Sequence, residues 1–220
     1  MIDALKISLI VTAAGKGTRF SDATNKLLLD CEGVPLIIRT LRRLLVDFSP
    51  YEIILTVHRS DLDDMARLME AYGFSQQILL VVGGETRRES VERGFHALKL
   101  CDVVMIHDGA RPFISAAVMT RLREAASVSV AVVPGIEIVD TVKRVDDNDT
   151  VIETIPRSEL RRIQTPQLFP YTQLKRAYEQ HLAPDATDEA MVMEAMGVPV
   201  KVVVGDPQNR KITVPEDWQL

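Results

Sequence analysis

The residues best suited to chemistry sit on a glycine turn, Ala13-Ala14-Gly15-Lys16-Gly17-Thr18-Arg19, with Lys26 close behind. Glycines at Gly15 and Gly17 let backbone adopt positive φ and approach a ligand closely, and successive N–H groups can form an anion-binding nest. On the glycines alone, a plain strand-to-loop turn is an equal reading. The cations Lys16, Arg19 and Lys26 point further, to a polyphosphate. Two familiar phosphate loops are excluded. The dinucleotide fingerprint needs a third glycine where Phe20 stands, and a Walker loop needs Ser or Thr after its lysine, where Gly17 stands.

Asp108 closes the apolar run Val103–Ile106. A carboxylate facing a triphosphate suggests Mg2+, which takes one or two carboxylates together with phosphate oxygens and water. A turn or capping aspartate is the alternative. Ser90 lies at the start of an expected helix, after Gly83-Gly84-Glu85-Thr86-Arg87. Helix N-terminal N–H groups suit polar or anionic ligands, though Ser90 could equally be a cap. His107 should point away from Asp108 on a strand and is assigned a structural role. His58, His96 and His181 show no partner pattern. Among Lys143, Arg144, Arg157, Arg161 and Arg162, only Arg157, which follows Pro156 in a turn, is expected to aim at something specific.

These groups need a scaffold, and the hydrophobic pattern supplies one. Lys6–Thr12 is β-branched and apolar almost throughout, as a strand buried on both faces would be. A helix over Pro35–Val46 with proline in its first turn, a strand over Tyr51–Val57, and a helix capped by Ser60 and Asp63 and ending before Gly73 follow. Then come a strand over Ile78–Val82, a helix over Arg88–Lys99, a strand over Asp102–His107, a helix over Ser115–Ala126 and a strand over Val128–Val133. The alternation predicts an α/β fold: right-handed crossovers and a mostly parallel twisted sheet with helices on both faces. Gly15, Gly84 and Asp108 then fall at strand carboxyl ends, where open α/β sheets bind ligands.

Glu137–Val145 and Thr150–Ile155 break the rhythm. Both alternate in polarity around Asp146-Asp147-Asn148-Asp149, which predicts a projecting two-stranded arm at about 136–157. An isolated hairpin is marginal in water, so a second subunit is expected to cover it. Helices over Tyr171–His181 and Asp188–Met196, a strand over Val200–Val204 and a short strand over Lys211–Val214 should complete one domain spanning 1–220.

The chain has 220 residues, 46% hydrophobic and 26% charged, within the range of ordinary globular chains. Its net charge of −5 argues against a broad nucleic-acid-binding face but not against a small anionic substrate. Cys31 and Cys101 stand far apart and read as free thiols. The apolar run Ile7–Ala14 is too short to cross a membrane, and a cytoplasmic enzyme with no membrane partner is expected.

Taken in order, the glycine turn, Gly83-Gly84-Glu85, His107-Asp108-Gly109-Ala110-Arg111-Pro112, Asp140-Thr141-Val142-Lys143, Gln164-Thr165-Pro166-Gln167, Thr187-Asp188-Glu189-Ala190 and Asn209-Arg210-Lys211-Ile212-Thr213 resemble the 2-C-methyl-D-erythritol 4-phosphate cytidylyltransferases. The resemblance covers nearly the whole chain. It implies a Rossmann-like sheet whose β-arm clasps a second subunit in a homodimer. It also implies attack by the phosphate of methylerythritol phosphate on the α-phosphorus of CTP, with Mg2+ and release of pyrophosphate. Ala13, Ala14, Gly15, Gly17, Gly84, Glu85, Ser90 and Gly109 would hold the cytidine nucleotide, and Asp108 would support the metal and ribose. Arg19 and Lys26 would stabilise the transferring phosphate. Arg111, Thr141, Arg157 and Lys211 would engage the polyol phosphate, with Thr141 and Arg157 coming from the partner's arm and Lys211 also counted as catalytic. The chain departs from the pattern at Asn25-Lys26-Leu27, where Pro-Lys-Gln is usual, and at Glu85, where aspartate is common. Ribitol-5-phosphate cytidylyltransferase is the nearest alternative, and a non-catalytic nucleotide-binding relative is the alternative from another class.

Overall fold

The computed structural model describes residues 5–15, 25–31, 33–46, 48–214 and 217. The first strand, β1 (Ile7–Ala13), is followed by the short antiparallel pair β2 (Asp30–Cys31) and β3 (Val34–Pro35) and by helix α1 (Leu36–Leu45). Next come β4 (Ile53–Val57), α2 (Leu62–Ala71), β5 (Ile78–Val82), α3 (Arg87–Ala97), β6 (Val103–Asp108) and α4 (Ala116–Ala125). The second half holds β7 (Ala131–Glu137), β8 (Val142–Val145), β9 (Val151–Ile155), β10 (Arg161–Ile163), β11 (Gln167–Pro170), α5 (Tyr171–Glu179), α6 (Glu189–Ala195) and β12 (Val200–Val204).

The eight-stranded sheet places β1 between β4 and β6, all parallel, with β5 beyond β4. On the other side β11 runs antiparallel to β6, and β7 takes β10 and β11 antiparallel and β12 parallel. The chain winds outward from β1 through β4 to β5, then returns to β6 on the opposite side. That reversal opens a crevice between the carboxyl ends of β1 and β6, the usual ligand position in such sheets.

Alternation along the strands divides the core in two. Leu9, Val11, Leu55 and Met105 face α1, α2 and α4, where Leu41, Met65 and Val118 are buried. Ile10, Ile54, Val104 and Ile106 face α3, α5 and α6, where Phe95, Leu174 and Val192 are buried. Burial on both faces explains the unbroken apolar runs of β1 and β6. Helix α3 lies close to the sheet because it carries Gly94, where a Cβ would come within 2.9 Å of Thr56 and 3.0 Å of Ile10.

The expected elements differ from the observed ones at several points. Pro35 is the cap residue before α1 rather than part of its first turn. Ser60 and Asp63 do not form a capping pair: Arg59–Asp61 is a 3-10 turn, and Ser60 bonds to His58 Nδ1 and Asp61 instead. Glu137 belongs to β7, so the arm pairs only Val142–Val145 with Val151–Ile155. Lys211–Val214 is not a strand; the segment is fixed by Ile212 N–H donating to Ala110 O. The sequence pattern also gave no sign of β10 and β11, short antiparallel strands interrupted by the cis Thr165–Pro166 bond. Cys101 is a buried free thiol, as expected. Among the described residues no helix is long and apolar enough to cross a membrane.

Candidate active site

A cavity of about 280 Å3 opens in the crevice between β1 and β6. Ala13, Ala14, Gly15, Lys26, Gly84, Glu85, Ser90, Asp108, Gly109 and Lys211 all line it. Gly17 and Arg19, with Lys16, lie outside the described residues. Gly15 does not use the positive φ available to glycine; among the described residues, nothing stands within 4 Å of where its Cβ would project.

One wall is the turn after β5. A Cβ on Gly83 would meet Ala14 Cβ at 2.4 Å, so only glycine lets this turn approach the end of β1 so closely. Ser90 is not the cap of α3. Thr86 fills that role, accepting from Glu89 N–H, while buried Ser90 accepts from Gly84 N–H at 3.1 Å and donates to Thr86 O at 2.8 Å. Glu89 accepts from Glu85 N–H at 3.0 Å. The loop's shape is thus set from below by the first turn of its own helix.

The floor is Asp108, at the end of β6. Its N–H donates to Thr165 Oγ1. His107 is fully enclosed, and burial lowers its pKa to about 4. It is therefore neutral, and its Nε2 must carry the hydrogen, because its partner 3.0 Å away is the Arg111 carbonyl oxygen. Nδ1 then accepts from the Thr165 hydroxyl at 3.0 Å. One relay through Thr165 and His107 so fixes the backbones of Asp108 and Arg111, the structural role expected of His107. Asn209 adds a bond from Nδ2 to Thr165 O and accepts Arg111 Nη1 on its carbonyl.

Three cations surround the Asp108 carboxylate: Lys211 Nζ at 2.9 Å, Arg87 Nε at 3.2 Å and Arg111 Nε at 3.6 Å. Burial pushes its pKa up, but Arg87, Lys211 and Arg111 together hold it well below the usual carboxylate range. Lys211 reaches this point because Asn209 and Ile212 on either side of it are both pinned to the core. Lys26 Nζ donates to Ile212 O at 2.7 Å on the same wall. Its turn is held by Asn25, whose side chain accepts from Leu27 N–H and donates to Asp61 Oδ2 at 2.7 Å.

A second cavity, of about 510 Å3, adjoins the first and shares Arg87, Asp108 and Lys211 with it. Arg111 lines it, with Thr165, Gln167 and Asp188. Thr141 and Arg157 line neither cavity: both are exposed on the arm, where Arg157 donates to Val139 O. Among the described residues no cluster of three or more His, Cys, Asp or Glu could hold a metal ion by itself. The sequence reading did not single out Arg87, Glu189, Thr165, Asn209, Asn25 or Asp61 as parts of the site. Arg87 had a usable sign, a cation three residues after the Gly83-Gly84 turn, and Thr165, Glu189 and Asn209 lie within the segments that carry the family resemblance.

The family model for IspD, 2-C-methyl-D-erythritol 4-phosphate cytidylyltransferase, matches residues 7–220. The protein of that name from Bacteroides fragilis is 41% identical over 211 residues, covering 96% of this chain and 95% of its own length. Its counterpart from Alkaliphilus metalliredigens is 40% identical over 223 residues, covering 99% and 92%. Among solved structures, the 4-diphosphocytidyl-2C-methyl-D-erythritol synthase of Anaerococcus prevotii has a TM-score of 0.85 at 33% identity, covering 98% of this chain and 96% of its own. The bifunctional IspDF of Campylobacter jejuni has a TM-score of 0.81 at 30% identity, covering 96% of this chain and 53% of its own.

Proposed function

Since this chain belongs to the 2-C-methyl-D-erythritol 4-phosphate cytidylyltransferase family, and is thus a nucleotidyltransferase, we propose that its two adjoining cavities hold CTP and methylerythritol phosphate side by side. The observation that carries this reading is their shared boundary. Arg87, Asp108 and Lys211 line both cavities, so a phosphate from each side would meet over one cationic patch. The reaction forms a bond from a substrate phosphate oxygen to the α-phosphorus of CTP and breaks the bond to the β-phosphate. It yields 4-diphosphocytidyl-2-C-methyl-D-erythritol and pyrophosphate.

A phosphate monoester has its second pKa near ~6 and is largely dianionic at neutral pH. It needs no general base, which suits a site whose nearest histidine, His107, is buried and structural. The obstacle is bringing two anions together, and the site's contribution is position and positive charge. The backbone at Gly15 and Gly84, which line the first cavity, leaves space for the nucleotide to lie close against both turns. Lys26, with Arg19 from the glycine turn, meets charge developing on the α-phosphate. Lys211 and Arg111 orient the polyol phosphate.

Asp108 is the residue that would hold Mg2+. Its oxygens now face Lys211, Arg87 and Arg111, so the ion would replace part of that cation contact, those side chains would turn to the phosphates, and the remaining ligands would be phosphate oxygens and water. When bound, the ion would neutralise part of the triphosphate charge.

The arm is read as reaching a second copy of the chain in a cytoplasmic homodimer. It forms its own two-stranded sheet, and Val139, Val151 and Ile152 are 76%, 54% and 61% exposed on it. Thr141 and Arg157 would then complete the polyol cavity of the partner. Pyrophosphate release with CTP and Mg2+, comparing methylerythritol phosphate with ribitol 5-phosphate, tests the assignment. Higher kcat/KM for methylerythritol phosphate is expected. Faster turnover of ribitol phosphate, or CTP binding without pyrophosphate release, would refute it.

A further inference from the structure

We infer that Arg87 is a phosphate-binding residue of the transfer reaction and that the buried carboxylate of Glu189 is the positioning residue that aims it. Arg87 opens α3 at the boundary of the two cavities and lines both. Its guanidinium is held on two edges: Nη1 donates to Glu189 Oε2 at 2.9 Å and Nε to Asp108 Oδ1 at 3.2 Å. Among the described residues Nη2 makes no hydrogen bond, and the side chain is 25% exposed. A guanidinium is a planar fork, so fixing two nitrogens fixes where the third points. Its free donor is therefore rigidly presented at an opening where phosphates of two substrates meet.

Charge supports the same reading. Lys211 and Arg111 also stand beside Asp108, so Arg87 is one of three cations on a single carboxylate. In direct ion pairs three cations, Arg87, Arg111 and Lys211, share two carboxylates, Asp108 and Glu189, while Asp188 and Glu194 line the far side of the second cavity.

Glu189 is 1% exposed. A buried ion pair seldom stabilises a fold more than an apolar pair of the same shape, so stability alone does not account for it. Its place is suggestive of a different purpose. It is the first residue of α6, after the cap Asp188, where helix N–H groups favour a carboxylate, and it pairs with Arg87 from behind the cavity wall.

The inference rests on the cytidylyl-transfer reading, and wild-type protein in the same assay separates the two. No pyrophosphate from wild type with CTP, Mg2+ and methylerythritol phosphate sinks the reading itself. Wild-type turnover in the variants sinks only the inference. Arg87→Gln should lower kcat by roughly 10²–10³, the loss typical of one transition-state donor, with CTP Kd within a few-fold of wild type. Arg87→Lys keeps a cation beside Glu189 but loses the fork, and should lower kcat about tenfold. Glu189→Gln should lower kcat about tenfold in the wild-type background and no further in the Arg87→Lys background, because it acts through the guanidinium. If Arg87→Gln fails to fold, the lysine variant decides, and unchanged kcat there overturns the role of Arg87. A Glu189→Gln loss that multiplies in full onto Arg87→Lys overturns the positioning role.

Discussion

The floor of the nucleotide cavity and the arm are built on opposite terms. Under Asp108, buried groups hold one another: Thr165, His107, Arg111 and Asn209 fix backbone and side chains from within the chain. On the arm, β8 and β9 pair only with each other, and the Arg144–Glu153 bridge at 2.8 Å joins side chains 62% and 51% exposed. Such surface pairs contribute little. A buried polar network specifies one geometry, whereas a lone hairpin is marginal without a surface to rest on. Among the described residues the first region is held from within one chain, and the second is where the proposed second copy would rest.

The sharpest test of the self-contained half is Lys26→Ala. Lys26 lies on the cavity wall, and its ammonium is placed by Ile212 O. Loss of one transition-state donor should lower kcat by about 10²–10³ while CTP binding changes far less. Near-normal turnover would mean that the floor is built for something other than the transferring phosphate.

The floor should also set the acid limit of stability. His107 is neutral in the folded chain until about pH 4, against an ordinary value of 6.5. Between those values the unfolded chain binds the proton and the folded chain does not. Stability from this group is thus fully present above pH 6.5 and is lost as pH falls toward 4, by about 3 kcal/mol. Denaturant melts at pH 7 and pH 4.5 should show the loss, and His107→Gln should reduce it. An equal pH dependence in that variant would move the cause elsewhere.

The arm calls for a different experiment. Arg157→Gln should raise KM for methylerythritol phosphate about tenfold and leave CTP Kd unchanged, by analogy with loss of one charged ligand contact. Mixing Arg157→Gln chains with inactive Lys26→Ala chains should then recover activity. In a mixed dimer, one site would combine an intact Lys26 with an intact Arg157 from the partner. Absence of recovery under exchange would show that the arm serves its own chain, and the contrast between the two regions would collapse.

The two halves were also unequally legible in the sequence. Runs such as Val103–Ile106 announce buried parallel strands because both faces of the sheet are covered. The glycine turns and Asp108 follow from their place at strand ends. Alternation around Asp146–Asp149 predicted the hairpin, but not that Glu137 would stay in the main sheet. The floor was much harder to read. Thr165, Asn209 and Glu189 reach it from 57, 101 and 81 residues beyond Asp108, and no local periodicity marks such partners. β10 and β11 were missed for a similar reason: three- and four-residue strands are too short to show a period.

The smallest expected effect tests how finely the floor is set. Asn25 stands where the family usually has proline, and it is 7% exposed. Its Oδ1 accepts from Leu27 N–H at 3.0 Å, and its Nδ2 donates to Asp61 Oδ2 at 2.7 Å and to Ala13 O at 3.4 Å. It thereby ties the turn carrying Lys26 to the end of β1 and to the connection after β4. Asn25→Ala removes the cap and should cost about 1 kcal/mol of stability. It should also lower kcat, by about threefold to tenfold, with KM for CTP nearly constant, because Lys26 loses aim rather than charge. Asn25→Asp is the harsher probe, since it sets a carboxylate against Asp61 and should lower kcat further. If both variants kept wild-type kcat while Lys26→Ala abolished turnover, the carbonyl of Ile212 would suffice to place the ammonium. The floor would then owe its accuracy to the Lys211 segment rather than to the turn before Lys26.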